Sequence, residues 1–571
     1  MNRNDVINAV RQHPDVSVLI VGAGINGIGT FRDLAAQGVD VLLVDKGDFC
    51  SGASAASSHM AHGGLRYLEN AEFRLVREAL HERNRMLINA PQYVKPLPTT
   101  IPIFSWFSGT LNAPLKFLNL RDKPGERGAF IIKIGLTMYD WFTRSSRVMP
   151  THRFASRAAS LLARPQINRE IICTATYYDA WMAVPERICV ELILDAEADN
   201  PQARALNYVR VDGADGDTVT LRDELSGDTL KVKPKIVINA AGPWIDLANR
   251  AMRQETNFIG GTKGSHIVID HPELHQATLG HEMFFENKDG RICLFFPLFD
   301  KVLAGTTDIR SDEPETHCTD QEIDYMLELI NRVFPNMKVD RSHIVFHFSG
   351  VRPLPSSKAS LTGQISRDHS IQTVEQPAGL RFPILSLVGG KWTTYRAFAE
   401  QTADVVLKRL GRQRKGDTRK TPIGGGRNYP DGERAQQQWI ADVALKTGVS
   451  AERVQTLFTR YGTRAAEVAG YISAGTDSPL KTKADYSRRE IMFLAEREKI
   501  VHLDDLILRR SMLGMLGFVT GEMLLELADV LTGIFGWSAQ QTENEVRRTA
   551  EILQTRHGVK AERLTLPEAL R

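Results

Sequence analysis

Residues 16–45 constrain the fold more than any other part of the sequence. The β-branched apolar run 16–21 leads into residues 22–27, whose glycines form a GxGxxG motif. Apolar residues at helical spacing follow the motif and predict a helix, and residues 39–44 predict a second, parallel strand. Asp45 then stands where a carboxylate accepts hydrogen bonds from a ribose. Strand, glycine turn, helix and acid together predict a dinucleotide-binding unit.

Each glycine of the motif has a physical role. Gly22 permits the tight turn, Gly24 lets a pyrophosphate approach the backbone, and Gly27 lets the helix pack closely on the strand. Ile25 and Asn26 lie at the helix start, whose dipole faces the phosphates. An acid at the end of the second strand argues against a ribose 2′-phosphate, and the choice between NAD and FAD stays open at this point.

Length and composition bound the class of protein. A chain of 571 residues is too long for one core and predicts about two to four domains. Its hydrophobic fraction of 42% and charged fraction of 24% are those of an ordinary globular protein, and a net charge of +3 gives no support for nucleic-acid binding. The five cysteines are widely scattered, so we expect neither a disulfide framework nor a metal site. A reducing cytoplasm fits best.

The sequence predicts neither secretion by a standard signal nor a transmembrane span, because residues 1–15 are polar and long apolar runs are missing. Three segments are nonetheless rich in aromatic and aliphatic side chains: 101–107, 111–120 and 131–142. Four arginines follow closely: Arg144, Arg147, Arg153 and Arg157. This pattern has two interpretations, a buried core with a solvated basic flank or a monotopic seat at the lipid headgroups.

Residues 57–68 form the second informative stretch, because hydroxyls, a glycine pair and an arginine follow one another there. Ser57 and Ser58 would place hydroxyl donors near a cofactor, and an arginine at a helix start favours an anion. By composition alone a solvated loop is an equal alternative. Residues 73–89 then have a helical pattern of alternating charges, which the following prolines end: Pro91, Pro96 and Pro98.

Two buried strands later in the chain end in small residues. Residues 206–232 predict a β-meander with turns at 212–213, 215–216 and 226–228, followed by a buried strand at 236–239. That strand ends at Ala241 and Gly242, where a second glycine-bearing strand end is expected to approach the cofactor. Residues 383–388 predict the other strand, which leads into Gly389, Gly390 and Lys391 at a helix start.

The remaining segments predict two further layers. Residues 262–348 contain strand-like runs with a turn at 287–290, and Thr319 with Glu322 forms a capping box that predicts a helix to about 333. The residues after the linker 415–432 are helix-patterned without clear strands. The predicted domains are therefore a dinucleotide-binding domain (1–100, 161–261 and 349–414), a membrane-facing or substrate segment (101–160), a substrate domain (262–348) and a helical domain (420–571).

Taken in order, these motifs resemble the FAD-dependent glycerol-3-phosphate dehydrogenases, respiratory enzymes of the glycine-oxidase-like flavoprotein superfamily. The resemblance covers nearly the whole chain and rests on ordered blocks: the first motif with Ser57-Ser58, His62-Gly63-Gly64-Leu65-Arg66-Tyr67-Leu68, Asn239-Ala240-Ala241-Gly242-Pro243-Trp244, Lys263-Gly264-Ser265-His266, Gly305-Thr306-Thr307-Asp308, Ser349-Gly350-Val351-Arg352-Pro353-Leu354, and Gly389-Gly390-Lys391 with Thr393-Thr394-Tyr395-Arg396. It implies an α/β fold: a Rossmann-like FAD-binding domain of the glycine-oxidase-like flavoprotein type, a mixed-sheet substrate domain and an all-helical C-terminal domain. It also implies FAD rather than NAD, with the adenosine at the first motif.

The resemblance and the residue types together identify candidate site residues. Oxidation of a secondary alcohol needs a base and a hydride acceptor, and a phosphate needs clustered cations. The catalytic candidates are His62, His266 and Arg352, with the two histidines as alternative bases. The substrate-binding candidates are Arg66, Tyr67, Arg352, Arg367 and Lys391; which cation holds the phosphate and which stabilises the developing alkoxide stays open. The cofactor-binding candidates beyond residues 22–45 are Ser57, Ser58, Ala241, Gly242, Gly389, Gly390, Lys391 and Thr393.

The predicted function is oxidation of sn-glycerol 3-phosphate to dihydroxyacetone phosphate, with electrons passed to a membrane quinone. The protein is expected in the cytoplasm, bound peripherally to the cytoplasmic membrane, and a homodimer is one assembly to consider. Asp45 replaces the family's usual glutamate, a shorter side chain that should still reach the ribose. The long segment 104–130 and residues 183–187, which replace a more acidic version, also depart from the family pattern and leave room for another polyol phosphate. The alternatives are a related polyol-phosphate dehydrogenase, an oxygen-using glycerol-3-phosphate oxidase, an amine or amino-acid oxidase, and a non-catalytic flavin-binding protein.

Overall fold

The computed structural model describes residues 3–65, 72–108, 128–144, 147–287, 292–311, 313–357, 365, 367–375 and 379–566. Two β-sheets and a helical C-terminal part make up this portion of the chain. The predicted combination of a Rossmann-like domain, a mixed-sheet layer and an all-helical C-terminal domain is therefore confirmed. Residues 288–290 of the predicted turn and the whole aromatic segment 111–120 lie outside the described residues.

Eighteen described strands and sixteen described α-helices of seven or more residues build the fold. The strands are β1 (Asp15–Val21), β2 (Val41–Val44), β3 (Met60–Ala61), β4 (Val94–Ile103), β5 (Arg153–Ser156), β6 (Cys173–Met182), β7 (Ala203–Leu206), β8 (Val209–Asp215), β9 (Thr218–Asp223), β10 (Thr229–Asn239), β11 (Thr262–Ile269), β12 (Glu282–Glu286), β13 (Ile292–Leu298), β14 (Lys301–Gly305), β15 (Ile309–Arg310), β16 (Ile344–Arg352), β17 (Ser370–Val374) and β18 (Ile384–Val388). The helices are α1 (Arg3–Gln12), α2 (Ile25–Ala36), α3 (Phe73–Asn89), α4 (Ala129–Phe142), α5 (Arg157–Ala163), α6 (Pro185–Asp199), α7 (Ile245–Ala251), α8 (Pro272–Thr278), α9 (Asp320–Val333), α10 (Tyr395–Arg409), α11 (Glu433–Thr447), α12 (Ala451–Tyr461), α13 (Ala465–Ser473), α14 (Arg488–Arg497), α15 (Gly521–Phe535) and α16 (Ala539–His557).

The first sheet has the order β17-β18-β10-β1-β2-β7, in which β18, β10, β1, β2 and β7 run parallel. The unit predicted at residues 16–45 is confirmed as β1, α2 and β2, with Gly38 at φ +69° just after the helix. Ile28, Phe31 and Leu34 of α2 are fully buried against the sheet. Burying each such side chain contributes roughly 1.5–3 kcal/mol, so this apolar face holds α2 in place.

The predicted meander consists of the antiparallel strands β8, β9 and β10. The predicted turn at Asp212-Gly213 is wrong, because both residues lie inside β8. The register between β8 and β9 shifts between Val211 and Gly213, which is a β-bulge. A glycine between strand-like residues is compatible with a bulge as well as with a turn. β10 continues without interruption through the parallel strand predicted at 236–239.

The second sheet has the order β15-β11-β14-β13-β12-β4-β6-β3, with β16 added on β11 and β5 on β6. It is mixed, since β12 and β4 run parallel whereas the neighbouring pairs are antiparallel. β3 to β6 join it from outside the predicted substrate domain, and β16 crosses the predicted boundary at 348/349. Pro96 and Pro98 lie within β4, in a part that pairs with β6 but lies beyond its contact with β12. Proline is tolerated there because one side of the strand is an edge.

Different elements pack on the two faces of the second sheet. α9 packs on one face, and its predicted capping box is confirmed, with Thr319 N donating to Glu322 Oε2 at 3.0 Å. On the other face, Val268 and Phe348 share an apolar cluster with residues of the C-terminal helices such as Leu503. His266 alternates with Ile267 along β11 and therefore lies on the face that carries Val268. The C-terminal part thus packs beside the site described below.

Helix α4 lies in the aromatic segment and has two different sides. Leu136 and Tyr139 are buried, whereas Phe130, Ile134 and Trp141 are exposed. The start of α4 packs on residues 105–108, where Trp106 and Phe107 are also exposed. One side of α4 is therefore core and the other is an exposed apolar face, and the monotopic interpretation stays a prediction. No helix in the described ranges combines the length and hydropathy needed to cross a bilayer.

Candidate active site

Three strand ends of the first sheet converge at the glycine motif. An added Cβ at Gly22, whose φ is +104°, would lie 2.6 Å from Ala240 O and 2.7 Å from Ala241 Cα at the end of β10. Asn26 Nδ2 donates to Gly389 O at 3.2 Å, which joins the motif to the end of β18. A side chain at Gly27 would clash with Gly22 O, so the turn is as tight as the motif requires. The predicted cofactor residues of the three segments therefore lie together.

The donors and acceptors of this corner fit a dinucleotide. Gly24, the residue before helix α2, has no side chain to cap the helix, and the N-terminal dipole of α2 favours an anion. Asn26 Oδ1 is buried and has no hydrogen-bond partner in the described part of the chain, so it can accept from a cofactor hydroxyl. Asp45 accepts from Ala23 N at 2.6 Å and Gly47 N at 2.9 Å, and its oxygens keep lone pairs for a ribose. Burial raises the pKa of Asp45 to about 6, so it is ionised at neutral pH.

The loop 51–65 connects the glycine motif with the second sheet. Ile25 N donates to Ser54 Oγ at 2.9 Å, and Trp392 Nε1 donates to Ser54 O at 2.9 Å. Further along, Ala56 packs against Gly350 of β16, where an added Cβ would lie 2.5 Å from the Ala56 Cβ. Ser57 Oγ accepts from His59 N at 3.2 Å, so this hydroxyl stabilises the loop itself. The loop is thus ordered between the two sheets, and the solvated-loop alternative does not describe it.

His266 is held rigidly on β11. Its Nε2 lies 2.8 Å from Ser58 Oγ, and its ring stacks on Phe348 with a centroid distance of 4.9 Å. Gly305 has no room for a side chain because the His266 ring occupies that space. Burial and the charge of Arg352 hold the pKa of His266 well below its usual value, so the ring is neutral. Its Nδ1 is buried without a partner among the residues described.

Two backbone hydrogen bonds hold His62 in place. His62 N donates to Thr393 Oγ1 at 3.1 Å, and the same hydroxyl donates to His62 O at 3.1 Å. Burial lowers the pKa of His62 to about 3, helped by the positive charges of Lys391, Arg367 and Arg83. His62 is therefore a neutral imidazole in a cationic environment. Lys391 is half-buried, and burial lowers its pKa to about 8.

Two of the predicted cations, Arg352 and Arg367, meet at one carboxylate. Arg352 Nη1 lies 3.2 Å from Asp308 Oδ1, and Arg367 Nη2 lies 3.5 Å from Asp308 Oδ2. Arg352 also donates to Thr306 Oγ1 at 2.9 Å and lies directly over Gly264, where a side chain would clash with its guanidinium. The sequence reading placed Asp308 in a matched block but gave it no role. The predicted residues Arg66 and Tyr67 lie outside the described part of the chain.

The sequence did not predict a buried polar cluster that lies behind Gly63. Asp179 Oδ1 accepts from Arg83 Nη1 at 2.9 Å, from Tyr139 OH at 2.6 Å and from Gly63 N at 3.2 Å. The three side chains come from α3, α4 and β6, so no local sequence motif predicts that they meet. The cluster fixes the backbone directly after His62 and connects it to helix α4. In the described ranges no group of three or more His, Cys, Asp or Glu side chains is arranged to hold a metal ion.

Comparisons with known proteins agree with this geometry. A family model described as FAD dependent oxidoreductase matches residues 17–382, and one described as C-terminal domain of alpha-glycerophosphate oxidase matches residues 416–542. The chain is similar to a glycerol-3-phosphate dehydrogenase of Synechocystis sp., at 33% identity over 95% of this chain and 97% of that protein. It is similar to one of Pseudomonas tolaasii at 30% identity over 88% and 93%. The solved structure of glycerol-3-phosphate dehydrogenase from Bacillus halodurans, complexed with FAD, has the same fold, with a TM-score of 0.73, 22% identity and 97% coverage of each chain.

Proposed function

The chain belongs to the family of FAD-dependent glycerol-3-phosphate dehydrogenases, and on that basis we propose that it oxidises sn-glycerol 3-phosphate to dihydroxyacetone phosphate and passes the electrons to a membrane quinone. Its cofactor is FAD. The observation that carries the choice of substrate is a group of cations beside the converging strand ends. Lys391 and Arg367 lie near His62, and Arg367 shares Asp308 with Arg352.

The residue types of this group suit a phosphate monoester. Arg352, Arg367 and Lys391 are three cations from separate segments, and charged N–H donors bind phosphate oxygens strongly. A phosphate monoester carries about −1.5 to −2 at pH 7. An amino acid, the substrate of the rival oxidase hypothesis, carries one carboxylate and needs fewer cations. The number of cations therefore supports a polyol phosphate over an amine or amino acid.

In the proposed reaction the secondary alcohol loses one hydride and one proton and becomes a ketone. FAD supplies the acceptor for the hydride. His62 takes the hydroxyl proton, since it is a neutral histidine near Lys391 and Arg367. Binding a dianion offsets the charges of Lys391 and Arg367 and so raises the basicity of His62 when substrate is present. His266 Nε2 contacts Ser58 Oγ, so we assign His266 a structural role on β11 instead.

Anaerobic mixing of the purified protein with glycerol 3-phosphate tests the proposal. We expect bleaching of the flavin absorbance, and recovery of the absorbance when a quinone analogue is added. Glycerol and amino acids, which lack the phosphate, should bleach it far more slowly. Bleaching by an amino acid but not by glycerol 3-phosphate would make the protein an amino-acid oxidase, and a protein that no substrate bleaches would be a flavin-binding protein only. Recovery in air as fast as with quinone would make it an oxidase.

The exposed apolar face of α4 supports the membrane part of the proposal. Phe107 is 71% exposed and Trp141 66% exposed, and the cations Lys133, Arg144 and Arg147 accompany them. Aromatic and basic side chains together suit the headgroup level of an anionic bilayer. On its other side the same helix contacts Gly63, next to His62, through the hydroxyl of Tyr139. This continuity supports a membrane-soluble acceptor and a peripheral position on the cytoplasmic membrane.

Replacing Trp106, Phe107 and Trp141 with serine together is expected to weaken binding to vesicles of phosphatidylcholine and phosphatidylglycerol at least about tenfold, because burial of each ring in the interface is lost. Turnover with a soluble dye as acceptor should be unchanged, since none of the three rings lies in the site. Leu445→Ser is the matched control, because Leu445 is 88% exposed and lies on the C-terminal helix α11. Vesicle binding that survives the triple substitution would remove this face from the proposal.

The pKa of Lys391 predicts how activity depends on pH. Burial lowers this pKa to about 8, so Lys391 is charged below pH 8 and loses its charge as the pH rises through that value. The phosphate itself has a pKa of about 6 and keeps its charge in that range. We therefore expect kcat/KM, which reports the free enzyme, to fall above about pH 8. In Lys391→Arg this fall of kcat/KM above about pH 8 should disappear. If the fall remains, another group causes it.

A further inference from the structure

The loop 45–50, which carries Asp45, is held from two sides. On one side it contacts the glycine motif, since Ala23 N donates to Asp45 Oδ2 at 2.6 Å and Cys50 N donates to Ala23 O at 2.9 Å. On the other side the buried Asp48 carboxylate points to the C-terminal part. The loop 45–50 therefore touches both the glycine motif and the C-terminal part.

Asp48 receives four charged or polar donors. Arg510 binds it with both terminal nitrogens, Nη1 to Oδ2 at 2.7 Å and Nη2 to Oδ1 at 2.9 Å. Arg509 Nε donates to Oδ2 at 2.6 Å, and Asn207 Nδ2 donates to Oδ1 at 3.0 Å. Burial alone would raise the pKa of Asp48, but the charges of Arg510 and Arg509 outweigh burial and hold its pKa well below the usual range.

The two arginines are fixed in turn by their own domain. They end a π-helical turn, Leu506–Arg510, which follows a short α-helical turn, Leu503–Asp505. Arg509 Nη2 donates to Asp504 at 2.8 Å and to Asp505 at 2.6 Å. Arg510 Nε donates to Glu498 O at 3.0 Å. π-Helical turns are rare and are frequently found at functional sites.

We propose that the C-terminal helical domain positions the adenosine-binding loop for FAD, and that it does so through the contact of Arg509 and Arg510 with Asp48. Asp48 is three residues from Asp45, so a shift of this contact displaces the carboxylate that faces the ribose. The contact is more than domain docking. Docking is also provided by the buried Glu191 on α6, which lies 3.8 Å from Arg464 Nη1 of the C-terminal part. That pair includes neither residues 45–50 nor Arg510.

The test compares these two ion pairs in the full-length protein. Asp48→Asn keeps the shape of the side chain and removes its charge, and it is expected to raise the FAD dissociation constant at least tenfold in titrations of the apoprotein followed by flavin fluorescence. Arg510→Lys keeps the charge and loses the paired geometry, so it should give a smaller rise. Arg464→Met is the control: it should lower the melting temperature of the apoprotein but leave FAD affinity within about threefold. Equal loss of FAD affinity in Asp48→Asn and Arg464→Met, or unchanged affinity in Asp48→Asn, would overturn the proposal.

A second measurement uses the wild-type chain and does not depend on how the variants fold. Coupling between two sites is reciprocal, so FAD must also stabilise the contact that positions its loop. We expect FAD to slow hydrogen exchange at the amides of residues 503–511 relative to the apoprotein, while exchange in α11 stays the same. Exchange at 503–511 that does not respond to FAD would show that the C-terminal domain does not act on the cofactor site.

Discussion

Replacing His62 with alanine is expected to lower kcat about 10²–10⁴-fold, the usual contribution of a positioned base, while KM for glycerol 3-phosphate changes little. The substitution is expected to leave the backbone of the loop in place. Thr393 binds the backbone N–H and C=O of His62, so the loop keeps its anchor when the imidazole is removed. Steady-state kinetics with a soluble acceptor, together with the flavin absorbance spectrum, would separate loss of the base from loss of the cofactor.

His266→Ala is the matched comparison, because His266 is also a buried neutral histidine in the same site. We expect a smaller loss of kcat in this variant, since its ring contacts Ser58 and Phe348 and serves to hold β11. The two variants also differ in pH response. A His62→Ala enzyme should regain rate as hydroxide rises, because solvent then replaces the base. If instead His266→Ala shows the larger loss and His62→Ala stays within tenfold of wild type, the roles of the two histidines are reversed.

Local patterns explain why much of the fold could be predicted from the sequence. The βαβ unit at 16–45 and the helix α3 depend on residues within one segment, and the structure reproduces the predicted helix limits, Phe73–Asn89. The capping box of α9 is equally local, since Thr319 and Glu322 are one helical turn apart. In such cases periodicity and end signals already contain the interactions that decide the structure.

Non-local pairing explains what the sequence did not reveal. The sequence predicts that Pro96 and Pro98 follow the end of α3 as helix breakers, but both lie inside β4. The strand accepts them because, among the described residues, only β6 pairs with it at the prolines. The cluster of Arg83, Tyr139 and Asp179 is assembled from three separate elements, and only the fold brings it behind Gly63. The roles of the predicted site residues stay predictions, but their convergence depends on strand order, which no single segment encodes.

Replacing Arg352 with alanine is expected to lower kcat/KM for glycerol 3-phosphate about thirtyfold, mainly through KM. A hydrogen bond to a charged group is worth about 1.5–3 kcal/mol, and 1.4 kcal/mol is a factor of ten. The loss has two sources. The phosphate loses a guanidinium, and Asp308 loses its partner at 3.2 Å, so an under-compensated carboxylate then faces the phosphate. Arg367→Ala should cost less, because its distance to Asp308 is 3.5 Å.

A double variant separates the two sources of this loss. If the exposed charge of Asp308 contributes, adding Asp308→Asn to Arg352→Ala should restore part of the lost kcat/KM, because the asparagine no longer repels the phosphate. Asp308→Asn alone should change kcat/KM in the other direction or very little, since Arg352 keeps its contacts with Thr306 and Thr307. Such non-additivity is expected for residues that share a partner. Strict additivity would mean that Arg352 acts on the phosphate alone, and an unchanged KM in Arg352→Ala would place Arg352 outside the substrate site.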